Sequence, residues 1–549
     1  MNDALDLRDS GLNKMHASDY SGAIEDFTKA IGTDDPETDE EAVLKSICLL
    51  HRSTCNLMLN KVGDAFEDAS YAVYMFKIRR PKFKLSDQFE SSDPLITTYL
   101  LAEKTKAEIY QLIRDLKSSI QSYTIYGILS KSDPTSLMDG VYAKLGFPKI
   151  EGNDPELEIF TKIYSSLSTE KQILLVLSDI ITVFQEEVSP SFIEKVRSQG
   201  CYVFLFGITY LFIDCPVVLQ ACLCILRNMA ELGISEIFDG LIVLRNIIEH
   251  YQTNNEMMGA LLLLLKLAPD SAVQQFEIED FVRPIMKMLT LKLTPEEYDA
   301  AFYLLFRSIK IPYNYKAASE LKLIDAIIAI ATKSSIVLLS KLLCNDELCV
   351  ESQIKGAIPF CIAVIKKVSD VSLITTSLIC IAKILLLDIP DNKRFYAQII
   401  TSIIPIVVKN SKPPGIVSNA FACLTICVDG ASDAIKESKA VRAASVILSL
   451  YSHDIEIAKN IVSFFYAASL CGLADEINAN PAALNTILSV VTEFIAEKDV
   501  AVKGIATAIY CNHPMKIKLA TIGLKTYKDS PVLISAVASI QDELRSSLK

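Results

Sequence analysis

From about residue 166 onward, the long apolar runs are broken near Pro216, Thr253, Thr294, Ser334, Asp370, Pro413, Asp454 and Asp499. The intervals are 37, 41, 40, 36, 43, 41 and 45 residues. A period of that length marks a helical solenoid, in which each unit buries its apolar faces on its neighbours. An array of this kind needs no central core, which suits a chain of 549 residues, too long for one. The helices between breaks are apolar on most faces, as burial between two neighbours requires. Apolar residues make up 51% of the chain, enough to exclude wholesale disorder.

A different spacing governs the first 130 residues. Leu7, Gly11, Tyr20, Ala23, Phe27 and Ala30 place small residues where paired helices cross and aromatics between them. Ser53, Leu59, Ala65, Ala69 and Ala72 repeat the pattern, and Ala107, Tyr110, Leu116, Ser119 and Tyr123 give a weaker third unit. The segments Leu5–Ile31 and His51–Val73 resemble the opening two repeats of tetratricopeptide (TPR) co-chaperones. An insertion at 76–97 carries Lys77, Arg79, Arg80, Lys82 and Lys84 around Pro81, which reads as a solvated basic loop, a docking patch or a nuclear-import signal. Between 130 and 165, Pro134, Gly140, Gly146, Pro148, Gly152 and Pro155 interrupt the periodicity and predict a linker.

In the second region, Ile354-Lys355-Gly356-Ala357-Ile358-Pro359 is similar to the turn into the last helix of an armadillo unit. Glycine permits the tight turn, and proline suits the first helical turn, where its missing N–H costs nothing. The period alone fits armadillo or HEAT units equally. The expected fold is therefore all-α: TPR hairpins over 1–129, a linker over 130–165, and an armadillo/HEAT-like right-handed α-solenoid over 166–549.

Composition and motifs exclude several classes. The net charge is −12, with 66 acidic and 54 basic residues, so nucleic acid is not the expected partner. The opening Met1-Asn2-Asp3-Ala4-Leu5-Asp6 has no secretory-signal pattern, and the 14 cysteines form no disulfide framework or CxxC pair, so a cytoplasmic protein is expected. Cys201–Leu226 is long enough to span a bilayer, but Asp214-Cys215-Pro216 splits it into core-helix lengths, so no membrane span is expected. His16, His51, His250, His453 and His513 fall in no catalytic motif, and Cys511 with His513 is too few ligands for zinc. No enzyme activity, metal or cofactor is expected.

Candidate binding residues lie in both regions. TPR co-chaperones hold the acidic C-terminal tail of cytosolic heat-shock chaperones with a clamp of Lys, Asn and Arg side chains. The resemblance places clamp positions at Arg8, Leu12, His51, Leu101 and Thr105, so four of the five depart from the pattern. Arg52, Lys104 and Lys106 stand beside them and complete the candidate set for the hairpin groove. In the solenoid, innermost helices line a groove. Asn228 matches the asparagine that armadillo importins use, while Trp is absent. Lys266, Arg307, Lys341 and Lys383 each interrupt an apolar helix, 41, 34 and 42 residues apart. They read as a basic ladder for an acidic or extended partner segment, or as cations snorkelling at helix edges.

TPR followed by armadillo repeats is similar in layout to the UCS myosin co-chaperones and to TPR–armadillo proteins of axonemal dynein assembly. That resemblance implies a cytosolic co-chaperone or assembly factor, with a heat-shock chaperone and a large client such as a motor protein as partners. The alternative is a scaffold for signalling or trafficking partners without a chaperone.

Overall fold

The computed structural model describes residues 2–84, 93–130, 138–150, 154–186, 188–276, 281–310, 315–387 and 389–541. Residues 85–92 of the expected insertion, and 131–137 and 151–153 of the expected linker, lie outside that set. Every regular element is helical among the described residues, and the chain divides into two units, Met1–Pro269 and Asp270–Lys549.

The first unit opens with three antiparallel hairpins: α1 (Asn2–His16) with α2 (Tyr20–Ile31), α3 (Asp39–Met58) with α4 (Val62–Arg79), and α5 (Pro94–Leu112) with α6 (Leu116–Ser130). Alanines set their close approach: Ala23, Ala65, Ala69 and Ala107 are fully buried where helices cross. Thr38 caps α3 by accepting from the Glu41 N–H, and Asp93 caps α5, each filling one of the donors a helix start leaves open.

The stretch expected as a linker carries α7 (Asp139–Lys144) and α8 (Glu158–Ser166), followed by α9 (Glu170–Gln185). Tyr142, Phe147 and Tyr164 gather around Phe204, with ring centroids 4.7 Å (Tyr142–Tyr164), 4.9 Å (Phe147–Phe204) and 5.3 Å (Tyr164–Phe204) apart. The Tyr142 and Tyr164 hydroxyls donate to the carbonyls of Tyr164 and Pro148. These helices are too short to show a periodicity, and their core is supplied by aromatics scattered among prolines and glycines.

Three-helix repeats follow. The first unit holds α10 (Pro190–Ser198), α11 (Tyr202–Leu211) and α12 (Pro216–Glu231), then a 3₁₀ turn (Ser235–Gly240) with α13 (Leu241–His250) and α14 (Asn255–Lys266). The apolar stretch 201–226 is thus two helices bent at Cys215–Pro216, and most of its large side chains are buried.

The second unit begins with α15 (Asp270–Val273), α16 (Arg283–Met288) and α17 (Pro295–Ser308). Next come α18 (Tyr315–Glu320), α19 (Leu323–Ile330) and α20 (Lys333–Leu342), then α21 (Asp346–Ile354), α22 (Ala357–Lys367) and α23 (Val371–Leu386). A 3₁₀ turn (Pro390–Phe395) with α24 (Tyr396–Lys409) and α25 (Pro414–Cys427) forms the next repeat. It is followed by α26 (Ser432–Glu437), α27 (Ala440–Leu450) and α28 (Ile455–Leu470), and by α29 (Ala474–Asn478), α30 (Pro481–Glu493) and α31 (Lys498–Tyr510). Helices α32 (Lys516–Thr526) and α33 (Pro531–Ala538) close the array.

Third helices stack on third helices and second on second: α17, α20, α23, α25, α28 and α31 form one ladder, and α22, α24, α27 and α30 another. The breaks read from the sequence fall at the starts of the third helices. Thr294, Thr332, Asp370 and Asp454 cap α17, α20, α23 and α28, and Pro216 and Pro414 open α12 and α25. The Ile354–Pro359 turn, expected before the last helix of its unit, opens the second helix instead, and in some repeats that turn runs through a left-handed residue. Gly356 supplies it before α22 (φ 90°), while Lys322 and Lys439 adopt it before α19 and α27 (both φ 54°).

Candidate functional site

Along one face of the hairpins, α1, α3 and the start of α5 enclose a cleft of about 530 Å³. Its floor is Leu5, Val43, Leu44, Ile47 and Leu95, and its polar wall is Arg8, Asp39, Glu40 and Asp93. Arg8, the retained clamp position, is tied to Asp9 at 2.6 Å. Asp39 is held by Arg80 at 2.6 Å and Arg79 at 2.9 Å, contacts that keep its carboxyl below the ordinary range. Two of the five cations of the basic cluster are thereby committed inside the fold.

The other clamp candidates diverge. His51 stacks on Phe27 with centroids 5.6 Å apart, and burial lowers its pKa, so the ring is disfavoured as a cation. Arg52 turns to the next helix: its Nε and Nη2 donate to Asp68 at 3.1 and 2.6 Å, and its Nη1 donates to Thr28. Asp68 is almost wholly buried and also accepts from Asn56. Burial nonetheless pushes its pKa up. Lys106 lies 3.8 Å from Glu103 and over the Tyr110 ring, while Lys104 makes no ion pair among the described residues. Leu101 is exposed, and Thr105 donates to its carbonyl. The groove is therefore apolar with mixed charge, and among the described residues it presents no pair of converging cations to a terminal carboxylate.

On the third-helix face of the first unit, Asn228 sits on α12, half-buried, and Lys266 closes α14. In the second unit Arg307 bonds within its own repeat, and Lys341 and Lys383 serve the seams between repeats. Arg307 pairs with Asp270 at 2.6 Å and lies over the Tyr303 ring. Lys341 Nζ donates to the Phe306 carbonyl at 2.5 Å, in the last turn of the preceding third helix, and burial lowers its pKa. Lys383 Nζ donates likewise to the Ser340 carbonyl at 2.7 Å and lies 3.2 Å from Cys344 Sγ. Both lysines thus reach back one repeat to a helix end whose carbonyls lack intrahelical donors.

The same backward bonding continues where sequence reasoning named no residue. Asn460 Nδ2 donates to Ser418 Oγ at 2.8 Å, and Lys503 Nζ to Ser463 Oγ at 3.0 Å. Asn460 and Lys503 each stand six residues after their helix's N-cap, the signal that would have found them. On the second helices, Tyr251 and Tyr451 cap α13 and α27 and donate to carbonyls of the preceding repeat, at Ile213 and Ser411.

Among the described residues no three His, Cys, Asp or Glu side chains gather as metal ligands. Cys511 is a buried thiol pushed up to about 12 by desolvation, and His513 Nδ1 accepts from the Met515 N–H. No single helix among the described residues is long and apolar enough to cross a membrane. The bent pair α21–α22 passes that test by length and composition.

No family model matches the chain, and no curated protein matches its sequence. Among solved structures, it is similar to one from work on a phosphorylation switch controlling the interaction between cadherin and beta-catenin. The TM-score is 0.46 at 10% identity, covering 88% of this chain and 96% of that one. A structure of the UNC-45 chaperone, described for binding and folding muscle myosin, gives a TM-score of 0.24 at 14% identity, covering 97% of this chain and 62% of that one. The myosin chaperone UNC-45 from C. elegans in complex with an Hsp90 peptide gives 0.20 at 11% identity, with coverage of 98% and 76%.

Proposed function

We propose that this chain is a non-enzymatic cytoplasmic adaptor that holds partner polypeptides on helical-repeat faces, with TPR-type hairpins through residue 129, a connecting stretch to 165, and an armadillo-like array beyond. The observation that carries the reading is the cleft on α1, α3 and α5, whose apolar floor lies open along one face of the hairpins. A cleft of about 530 Å³ is of the size that accepts one or two large side chains of a bound segment.

The charge of that cleft favours the scaffold reading over recruitment of a heat-shock chaperone by its tail. Of the charged residues lining the cleft, Asp39, Glu40 and Asp93 are acidic and Arg8 alone is basic; Arg8 is already paired with Asp9, and Arg79 and Arg80 are spent on Asp39. The assembly-factor reading, with a large client such as a motor protein, rests on the layout of hairpins followed by repeats.

Affinity purification of the intact chain beside a Val43→Glu/Ile47→Glu variant tests the proposal. Partners retained by the wild type should be lost from the variant while its melting curve is kept. An identical partner set from both would overturn it. Recovery of a heat-shock chaperone with one motor heavy chain would favour the assembly factor. An acidic peptide should bind no better with a free C-terminal carboxylate than when amidated.

A further inference from the structure

We infer that the second-helix face of the second unit docks an acidic segment of a partner protein, its carboxylates in the cleft at the α26–α27 turn and its aliphatic side chains along α27. The cleft encloses about 440 Å³ and has Lys436, Lys439 and Arg442 on one wall, facing Glu476, Ala479 and Asn480.

Three observations point to an outside anion. The first is that these cations are unpaired among the described residues. Several other cations of the unit meet an acid of the neighbouring repeat, as in Lys355–Asp325 at 3.0 Å, Lys393–Asp429 at 3.2 Å and Lys459–Asp499 at 3.4 Å. Lys436, Lys439 and Arg442 are exposed and have no acidic oxygen within 4.0 Å. The second is the backbone. Lys439 enters α27 in the left-handed conformation with no side-chain cap, which sets the positive end of an 11-residue helix beside the three cations. The third is the setting: on a chain of net charge −12, a concave cluster of three cations focuses a local positive potential against the overall field.

An apolar track leads away from the cleft. Arg442, Val446 and Leu450 recur every fourth residue on the exposed stripe of α27, and Val446 and Leu450 are 58% and 63% exposed. Val408, on the adjacent α24, is 57% exposed. At 1.5 Å per residue, Leu450 lies about 12 Å along the helix from Arg442. That span fits a short segment with two or three acidic residues at one end and aliphatic residues at the other. Such a ligand satisfies the cations and covers the apolar stripe together.

The test uses the full chain and a fluorescein-labelled peptide of three glutamates followed by leucines and valines, read by polarisation. Its controls are the Gln-for-Glu version and a scrambled order. Binding should weaken about tenfold in Lys436→Glu/Lys439→Glu/Arg442→Glu, since three exposed ion pairs at a few tenths of a kcal/mol each give that factor. Val446→Asp/Leu450→Asp should weaken it comparably, and added salt should weaken the wild type. Should charge reversal impair folding, Lys436→Gln/Arg442→Gln serves in its place. Absence of binding to the wild type, affinity within about twofold in the cation variant, or equal binding of the Gln peptide would each overturn the inference. Competition by millimolar inorganic phosphate without any preference for the ordered peptide would assign the cleft to small anions and overturn it too. None of these outcomes touches partner retention by the hairpin cleft, which is read separately.

Discussion

Replacing Lys383 with methionine separates a role in the seam between repeats from a role in holding a partner. Methionine keeps most of the apolar stem and removes the ammonium. The ammonium donates to the Ser340 carbonyl at 2.7 Å. That carbonyl lies in the last turn of α20, where the following amides are spent elsewhere: Leu343 N–H on Leu339, Cys344 N–H on Lys341, and Asn345 N–H on Leu342. Removing the charged donor leaves the carbonyl without a protein donor other than the distant Cys344 thiol. The loss of one charge-assisted bond, partly relieved by water, is worth roughly 1–2 kcal/mol. In a domain of this size that lowers Tm by about 2–4 °C per kcal/mol. Lys341→Met should cost less, because burial already penalises its ammonium. Lys355→Met, which breaks an exposed pair with Asp325, should change stability by under about 0.5 kcal/mol. Thermal unfolding with amide exchange at residues 340–345 reads all three. Unchanged Tm and unchanged protection in Lys383→Met, together with lost partner binding, would refute the seam account and restore the lysine as a binding residue.

Other perturbations test neighbouring steps of the reasoning. Arg52→Ala leaves the Asp68 carboxylate buried without its cation and should cost about 3 kcal/mol at neutral pH. Burial holds the folded pKa of Asp68 above its unfolded value and loss of Arg52 raises it further, so this contribution is intact below the unfolded pKa and is lost as pH rises through the folded one. The deficit should therefore shrink as pH falls from 7 towards 4 in denaturant titrations, and a pH-independent deficit would contradict it. Gly207→Ala places a Cβ 2.1 Å from the Phe147 ring and should cost about 1–3 kcal/mol, with faster exchange across residues 139–147. Unchanged exchange there would show that this stretch does not dock on α11. Lys322→Gly removes a left-handed lysine before α19 and should raise stability by up to about 1 kcal/mol in the same melts.

The repeat period was legible because its markers are local. A capping side chain such as Thr294 or Asp370 bonds an amide two or three residues ahead, so Thr, Asp and Pro at the start of most third helices write the period into the sequence. The Gly356 turn was legible for the same reason, but that it opens the second helix of its repeat and not the last was decided by the stacking. Lys322 and Lys439 were not legible, because the stacking of neighbouring helices imposes the left-handed turn on residues that do not prefer it. The cluster of Tyr142, Phe147, Tyr164 and Phe204 was equally hidden, since it joins residues up to 62 apart across prolines and glycines.

The candidate site was legible as a set of positions and not as a set of functions. Sequence placed Arg52 beside the clamp positions and Lys341 and Lys383 at a repeat-like offset on their helices, where each reads as a groove cation or as a side chain at a helix edge. Their partners are Asp68, the Phe306 carbonyl and the Ser340 carbonyl, at separations of 16, 35 and 43 residues. Residue type and helical phase, governed by contacts within one turn, fixed which side chains stand on each helix. Which of them reach a partner in the fold, and which, like Lys436, Lys439 and Arg442, are left for another molecule, was decided by how whole helices stack. That choice depends on distances between segments that no local pattern records.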